Sequence, residues 1–165
     1  MRVFKEEQRF TQWWLWLLLS CIMLIPVYGI IQQLVLKKSF GDSPMSDNGL
    51  IIFTIGMFLF LVFFLFLRLK TRIDETGIHF QFFPFHFSAR TISWSELTAA
   101  KTKKYRPILD YGGWGIKHGS YTVKGNIGIQ LALKNGKNIL IGTQKLEEVN
   151  SVLKSYENKI LANEI

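Results

Sequence analysis

The sequence predicts an α+β, mainly β protein: an N-terminal two-helix transmembrane hairpin, then a strand-rich domain closed by a C-terminal helix. Three observations predict it. Residues 13–36 and 50–67 are uncharged apolar stretches, each long enough as a helix to cross ~30 Å of hydrocarbon. From residue 72 onward the apolar residues recur at every second position between glycine, proline and asparagine turn signals, the period of half-buried strands. Near the C-terminus the period changes again, to the three- and four-residue spacing of an amphipathic helix.

Residues 1–10 are charged and carry Phe4 and Phe10; they are expected to lie at the membrane surface. Trp13, Trp14 and Trp16 follow as an aromatic belt at the entry of the first span, the level an amphipathic indole prefers. Leu18-Leu19-Ser20-Cys21 resembles a lipoprotein cleavage box. The apolar run continues to Leu36 where a lipoprotein turns polar, so the span is read as uncleaved. Pro26 and Gly29 predict a kink, and Gln32 and Gln33 are expected to meet headgroups and water. Turn formers fill the connection, Gly41-Asp42-Ser43-Pro44 and Asp47-Asn48-Gly49. Cys21 is the single cysteine, which excludes an intramolecular disulfide and a cysteine-based metal site.

Arg2, Lys5 and Arg9 precede the first span, Lys37 and Lys38 follow it, and Arg68, Lys70 and Arg72 follow the second. The positive-inside bias then predicts a multi-pass protein of the bacterial inner (cytoplasmic) membrane with both termini cytoplasmic. Residues 1–70 are read as the anchor and 71–165 as the cytoplasmic domain.

Within the domain, Ile73-Asp74-Glu75-Thr76-Gly77-Ile78 reads as strand, glycine turn, strand, with Phe80 and Phe82 on one face. Pro84 breaks the run. Residues 90–97 read as a strand with Ile92 and Trp94 on one face. Residues 98–106 read as another, with Lys101, Lys103 and Tyr105 on one side and Thr102, Lys104 and Arg106 on the other. Pro107 ends it before a glycine-rich loop at 110–119. Residues 121–124 and 127–133 read as a hairpin closed at Gly125-Asn126, and Asn135-Gly136 signals a second one returning along 137–142. Thr143 resembles an N-cap, with Glu147 and Glu148 near the positive end of the helix dipole. Leu146, Val149, Leu153, Tyr156 and Ile160 form the apolar stripe of that helix.

Residues 71–160 resemble the bacterial pleckstrin-homology-like family, in the membrane-anchored branch where pairs of helices precede the domain. The resemblance rests on Ile73 to Ile78, Ile92-Ser93-Trp94-Ser95-Glu96-Leu97, Tyr111-Gly112-Gly113-Trp114-Gly115-Ile116, Gly128 to Leu133, and Ile141-Gly142-Thr143. It implies a seven-stranded bent β-barrel of two sheets capped by the C-terminal α-helix. The family supplies no catalytic motif, so none is carried over.

Two groups of residues are candidate ligand contacts. Lys101, Lys103, Lys104 and Arg106 are the densest basic cluster, with Lys117 as a possible addition. Tyr111, Gly112, Gly113 and Trp114 belong to a loop whose glycines permit close backbone approach. The formal net charge is +8, nearly all of it from residue 68 onward, but no DNA- or RNA-binding signature accompanies it, so nucleic acid is not expected. His79, His86 and His118 have no flanking carboxylate or ligand at metal spacing. Ser88, Ser93 and Ser95 stand in no nucleophile elbow. The expected function is therefore not enzymatic and needs no cofactor. It is a membrane-anchored binding or scaffold role, with the lipid bilayer and a protein partner or homo-oligomer as its contacts. The alternatives are anionic headgroup recognition and an accessory subunit of a membrane complex.

Overall fold

A computed structural model of the chain describes residues 3–161. The chain divides into two compact units, one of Thr11–Phe66 and one built from the segments on either side of it.

The first unit is a helical hairpin. Helix α1 spans Trp13–Ile30 and continues as a wider π-helical turn over Ile31–Val35; α2 spans Asp47–Phe66. Both are long and apolar enough to cross a membrane. Pro26 and Gly29 face the protein. A side chain at Gly29 would collide with the Phe40 ring at 2.9 Å, so this glycine admits the connection rather than merely loosening the helix. Gln33 departs from expectation: its amide nitrogen donates to the Met45 carbonyl and to Asp47 Oδ1, both at 2.7 Å. It thereby ties the end of the first helical segment to the start of α2. Thr54, the polar residue of α2's apolar run, returns its hydroxyl to the Leu50 carbonyl at 2.7 Å, which removes the cost of an unpaired donor. Of the basic residues that set the expected orientation, Arg2 lies outside the described residues.

The second unit carries nine strands among the described residues, in two sheets. The first is an antiparallel meander of β1 (Phe4–Arg9), β2 (Arg68–Ile73), β3 (Gly77–Phe83) and β4 (Arg90–Ser93). Strand β1 precedes the helical hairpin and pairs with β2 after it, from Phe4↔Ile73 to Arg9↔Arg68. The polar segment expected at the membrane surface is thus an integral strand of the sheet. Alternation places Leu69, Ile73, Ile78, Phe80 and Phe82 in the core, all at 2% exposure or less. Each contributes about 1.5–3 kcal/mol by burial.

The second sheet runs in the order β5 (Leu97–Lys104), β8 (Ile127–Leu133), β9 (Asn138–Gly142), β7 (Ser120–Thr122), β6 (Gly115–Lys117). A capping box in Ser93-Trp94-Ser95-Glu96 ends β4 early and turns the chain through Trp94–Glu96 into β5. The hairpin closed at Asn135-Gly136 forms as expected, with Gly136 at φ 79°. The one expected at Gly125-Asn126 does not. Strand β8 spends both edges on β5 and β9, so β7 lies parallel to β9 instead, Ser120↔Leu140 and Tyr121↔Ile141. The glycine-rich segment is also more regular than a loop. It holds a short helix, α3 (Pro107–Tyr111), and the β6–β7 hairpin, whose two turn residues His118 and Gly119 both have positive φ.

Helix α4 (Leu146–Leu161) packs against β1 and β5, edge strands of the two sheets. Val149, Val152, Leu153, Tyr156 and Ile160 are its buried face, and Tyr156 stacks on Trp94 with ring centroids 5.0 Å apart. The expected α+β class and the capping helix are present. The expected seven-stranded barrel is not: the sheets do not close, and α4 covers the seam between β1 and β5 in place of a hydrogen-bonded ladder.

Candidate functional site

The outer face of the first sheet is built by the same alternation that fills the core. Lys5, Glu7 and Arg9 on β1, Arg68, Lys70 and Arg72 on β2, and His79, Gln81 and Phe83 on β3 all point away from it. The register sets Lys5, Arg72 and His79 in one row, Glu7, Lys70 and Gln81 in the next, and Arg9, Arg68 and Phe83 in the third. The first two rows line an open groove of about 770 Å³, whose end is formed by Asp74 and Thr76 in the β2–β3 turn.

Lys5, Lys70 and Arg72 in its lining are matched by Glu6, Glu7 and Asp74, and the positive excess of this face comes from Arg9 and Arg68 in the third row. Glu7 faces Arg9 at 2.8 Å, Arg68 at 3.8 Å and Lys70 at 3.9 Å. The Arg9 hydrogen bond holds its carboxyl below the usual range, with the three cations adding to the effect. Arg72 Nε meets Asp74 Oδ2 at 2.9 Å. Lys5 makes no ion pair among the described residues. The Glu7 pairs, exposed on both sides, contribute at most about 1 kcal/mol each to stability, so their cations are available for a ligand at little cost to the fold.

Asp74 is the fixed point of the groove. Its Oδ1 accepts from the Thr76 hydroxyl at 2.6 Å and the Thr76 N–H at 3.0 Å, and lies 3.1 Å from His79 Nε2. Those Thr76 bonds, joined by His79, hold the carboxyl far below the ordinary range. His79 Nδ1 lies 2.9 Å from the Thr91 hydroxyl across the β3–β4 pair. Carboxylate, imidazole and hydroxyl thus stand in a row. Asp74 also closes the β2–β3 turn and pairs with Arg72, so the row braces the groove rather than leaving a base unengaged. No carboxylate flanks His79 along the chain; the Asp74–His79 contact arises only when the chain reverses at Gly77.

The candidates expected from sequence fall on the second sheet, apart from this groove. Lys101, Lys103 and Lys104 are exposed on the edge strand β5. Thr102, between them, turns toward α4 and donates to Asn150 Oδ1 at 2.8 Å. Tyr105 does not continue the Lys101 and Lys103 face. The strand ends at Lys104, the Tyr105 N–H bonds the Asn126 carbonyl at 2.8 Å, and burial pushes its phenol up to about 12. Arg106 is engaged locally, its backbone N–H donating to Asp110 Oδ2 at 2.8 Å and its guanidinium 3.5 Å from Asp110 Oδ1.

The structure brings Tyr111, Gly112, Gly113, Trp114 and Lys117 into one turn assembly. Gly112 caps α3 at φ 65°, with its N–H on the Ile108 carbonyl at 2.8 Å. Lys117 Nζ donates to the Gly112 carbonyl at 2.8 Å, and the half-buried Trp114 indole donates to the Gly125 carbonyl at 2.9 Å. Tyr111 packs edge-on against Tyr105. These polar groups close the turns on each other.

No protein-family model matches the chain, and no curated protein matches it either.

Proposed function

We propose that this protein is a membrane-anchored binding module. Its two apolar helices cross the bacterial inner membrane, both termini are cytoplasmic, and a pleckstrin-homology-like domain presents the outer face of its first sheet to an acidic segment of a partner protein, a second copy of the chain included. The role is docking, without catalysis or cofactor. The observation that carries the reading is the groove of about 770 Å³ with Lys5, Lys70 and Arg72 along it and Glu7 shared among three cations. With Arg9 and Arg68 of the adjoining row the face as a whole is net positive, and such a face selects an acidic surface and speeds its encounter. The groove replaces the Lys101, Lys103 and Lys104 strand as the preferred contact because it is concave, whereas those lysines stand exposed on an edge strand.

The test is site-specific photocrosslinking from Gln81, in the middle row of the groove, in full-length protein within its own membrane. A discrete crosslinked species is expected, and Lys70→Glu should reduce its yield about tenfold or more, the scale of a like-charge juxtaposition. Lys137→Glu, in an exposed turn of the second sheet, should leave it unchanged. An unchanged yield with both Lys70→Glu and Lys5→Glu contradicts the reading.

A further inference from the structure

Three strand ends meet in the row Arg9, Arg68 and Phe83. Two of them are continuous with the apolar helices: Arg9 is followed by Phe10, Thr11 and Gln12 and then α1, and only Leu67 separates α2 from Arg68. The third, Phe83, leads into the β3–β4 loop at 84–89. That loop carries Phe85 at 58% exposure and Phe87 at 92%. A phenylalanine left almost wholly in water is a group without its partner phase.

The loop is braced rather than slack. The His86 N–H donates to the Phe82 carbonyl at 2.8 Å, and the Phe82 N–H donates to His86 Nδ1 at 3.2 Å. Gln81 Nε2 reaches up from the sheet to the carbonyls of His86 at 2.9 Å and Phe87 at 3.1 Å. Phe85 leans on Phe82. The carbonyls that flank the Phe87 side chain are therefore satisfied before it leaves water, which is the condition for placing irregular backbone at an apolar interface. Beside the loop, the Arg68 guanidinium lies over the Phe83 ring at 5.0 Å, and Arg9 and Arg68 share the single Glu7 carboxylate. Positive charge next to an apolar wedge suits the headgroup layer of an anionic bilayer.

We infer that the β3–β4 loop is a third membrane attachment: Phe87 enters the interfacial layer of the bilayer, with Arg9 and Arg68 at the lipid phosphates. The inference rests on the reading that α1 and α2 cross the membrane. Its consequence is that the first sheet is fixed at its Arg9, Arg68 and Phe83 end by two chain connections and one inserted side chain.

The experiment places an environment-sensitive fluorophore at single cysteines of the full-length protein in vesicles of phosphatidylethanolamine and phosphatidylglycerol containing an acyl-chain nitroxide lipid. The native Cys21 reports whether α1 is in the bilayer. In a Cys21→Ser background, Ser88→Cys reports the loop. Glu75→Cys reports the opposite end of the same sheet, about 20 Å away at strand rise. Quenching and a blue shift are expected at Cys21 and Ser88→Cys and not at Glu75→Cys, and adding Phe87→Asp should abolish both signals at Ser88→Cys. Quenching at Cys21 with none at Ser88→Cys overturns the inference while the membrane reading stands. Quenching at Ser88→Cys that survives Phe87→Asp also overturns it. No quenching at Cys21 removes the membrane reading and the inference with it.

Discussion

Glu6 sits on the first strand yet holds the turn that leads into the last helix. Its Oε2 accepts the Thr143 hydroxyl at 2.7 Å and its Oε1 accepts the Gln144 N–H at 2.9 Å, next to the positive end of α4. Thr143, expected as the N-cap, stands two residues ahead of that position because α4 begins at Leu146; its hydroxyl oxygen accepts the Lys145 N–H at 3.2 Å while being held by Glu6. Glu6→Ala is expected to destabilise the domain by about 1.5–3 kcal/mol, the range of a hydrogen bond to a charged group, read as a lower midpoint in chemical denaturation of the full-length protein. His86 gives a pH dependence. Burial chiefly, and the charge of Arg90, lower its pKa from the ordinary 6.5. The unfolded chain therefore takes up this proton first as pH falls. The stabilisation from the neutral, Phe82-bonded ring is present above pH 6.5 and is lost as pH falls through 6.5 toward the folded value. An NMR titration should show the His86 ring titrating below 6.5, and the unfolding midpoint should decline over that window.

Two glycines of similar sequence appearance differ at the element scale. At Gly77, φ is 152° and an added Cβ would collide with the Ile92 carbonyl, because β3 starts where β4 ends. Gly136 has φ 79° with open space around it. Gly136→Ala is expected to cost about 1 kcal/mol, the left-handed penalty alone. Gly77→Ala should cost about 2 kcal/mol or more, because strain and displacement of β4 add to it. Thermal unfolding of the two variants checks the difference.

The same contrast marks what the sequence made legible. Strand β8 announces itself through Ile127, Ile129, Leu131 and Leu133 at alternate positions. Strand β1 does not, because its inward residues Glu6 and Gln8 are polar. They are tolerated there through bonds to Thr143, Gln144 and the Gly142 carbonyl, partners more than a hundred residues away. The groove was hidden for the same reason, since it exists only where β1 joins β2. The basic strand at 97–104 was visible as a run of lysines. The cations of the groove are separated in sequence by the whole helical hairpin.

For the whole molecule, the pairing of β1 with β2 makes the hairpin an insertion into a folded unit rather than an anchor appended to it. Phe4 is fully buried in that unit, so on the proposed membrane reading both strands must reach the same side before the domain can complete its first sheet. The proposed reading takes that side as the cytoplasmic one, with residues 39–49 as the external connection. Labelling of single cysteines with a membrane-impermeant maleimide, in a Cys21→Ser background in spheroplasts, tests this most directly. The account predicts that Ser43→Cys reacts in intact spheroplasts, whereas Lys5→Cys and Glu75→Cys react only after permeabilisation. Reaction of Glu75→Cys from outside, or opposite behaviour of Lys5→Cys and Glu75→Cys, would contradict it.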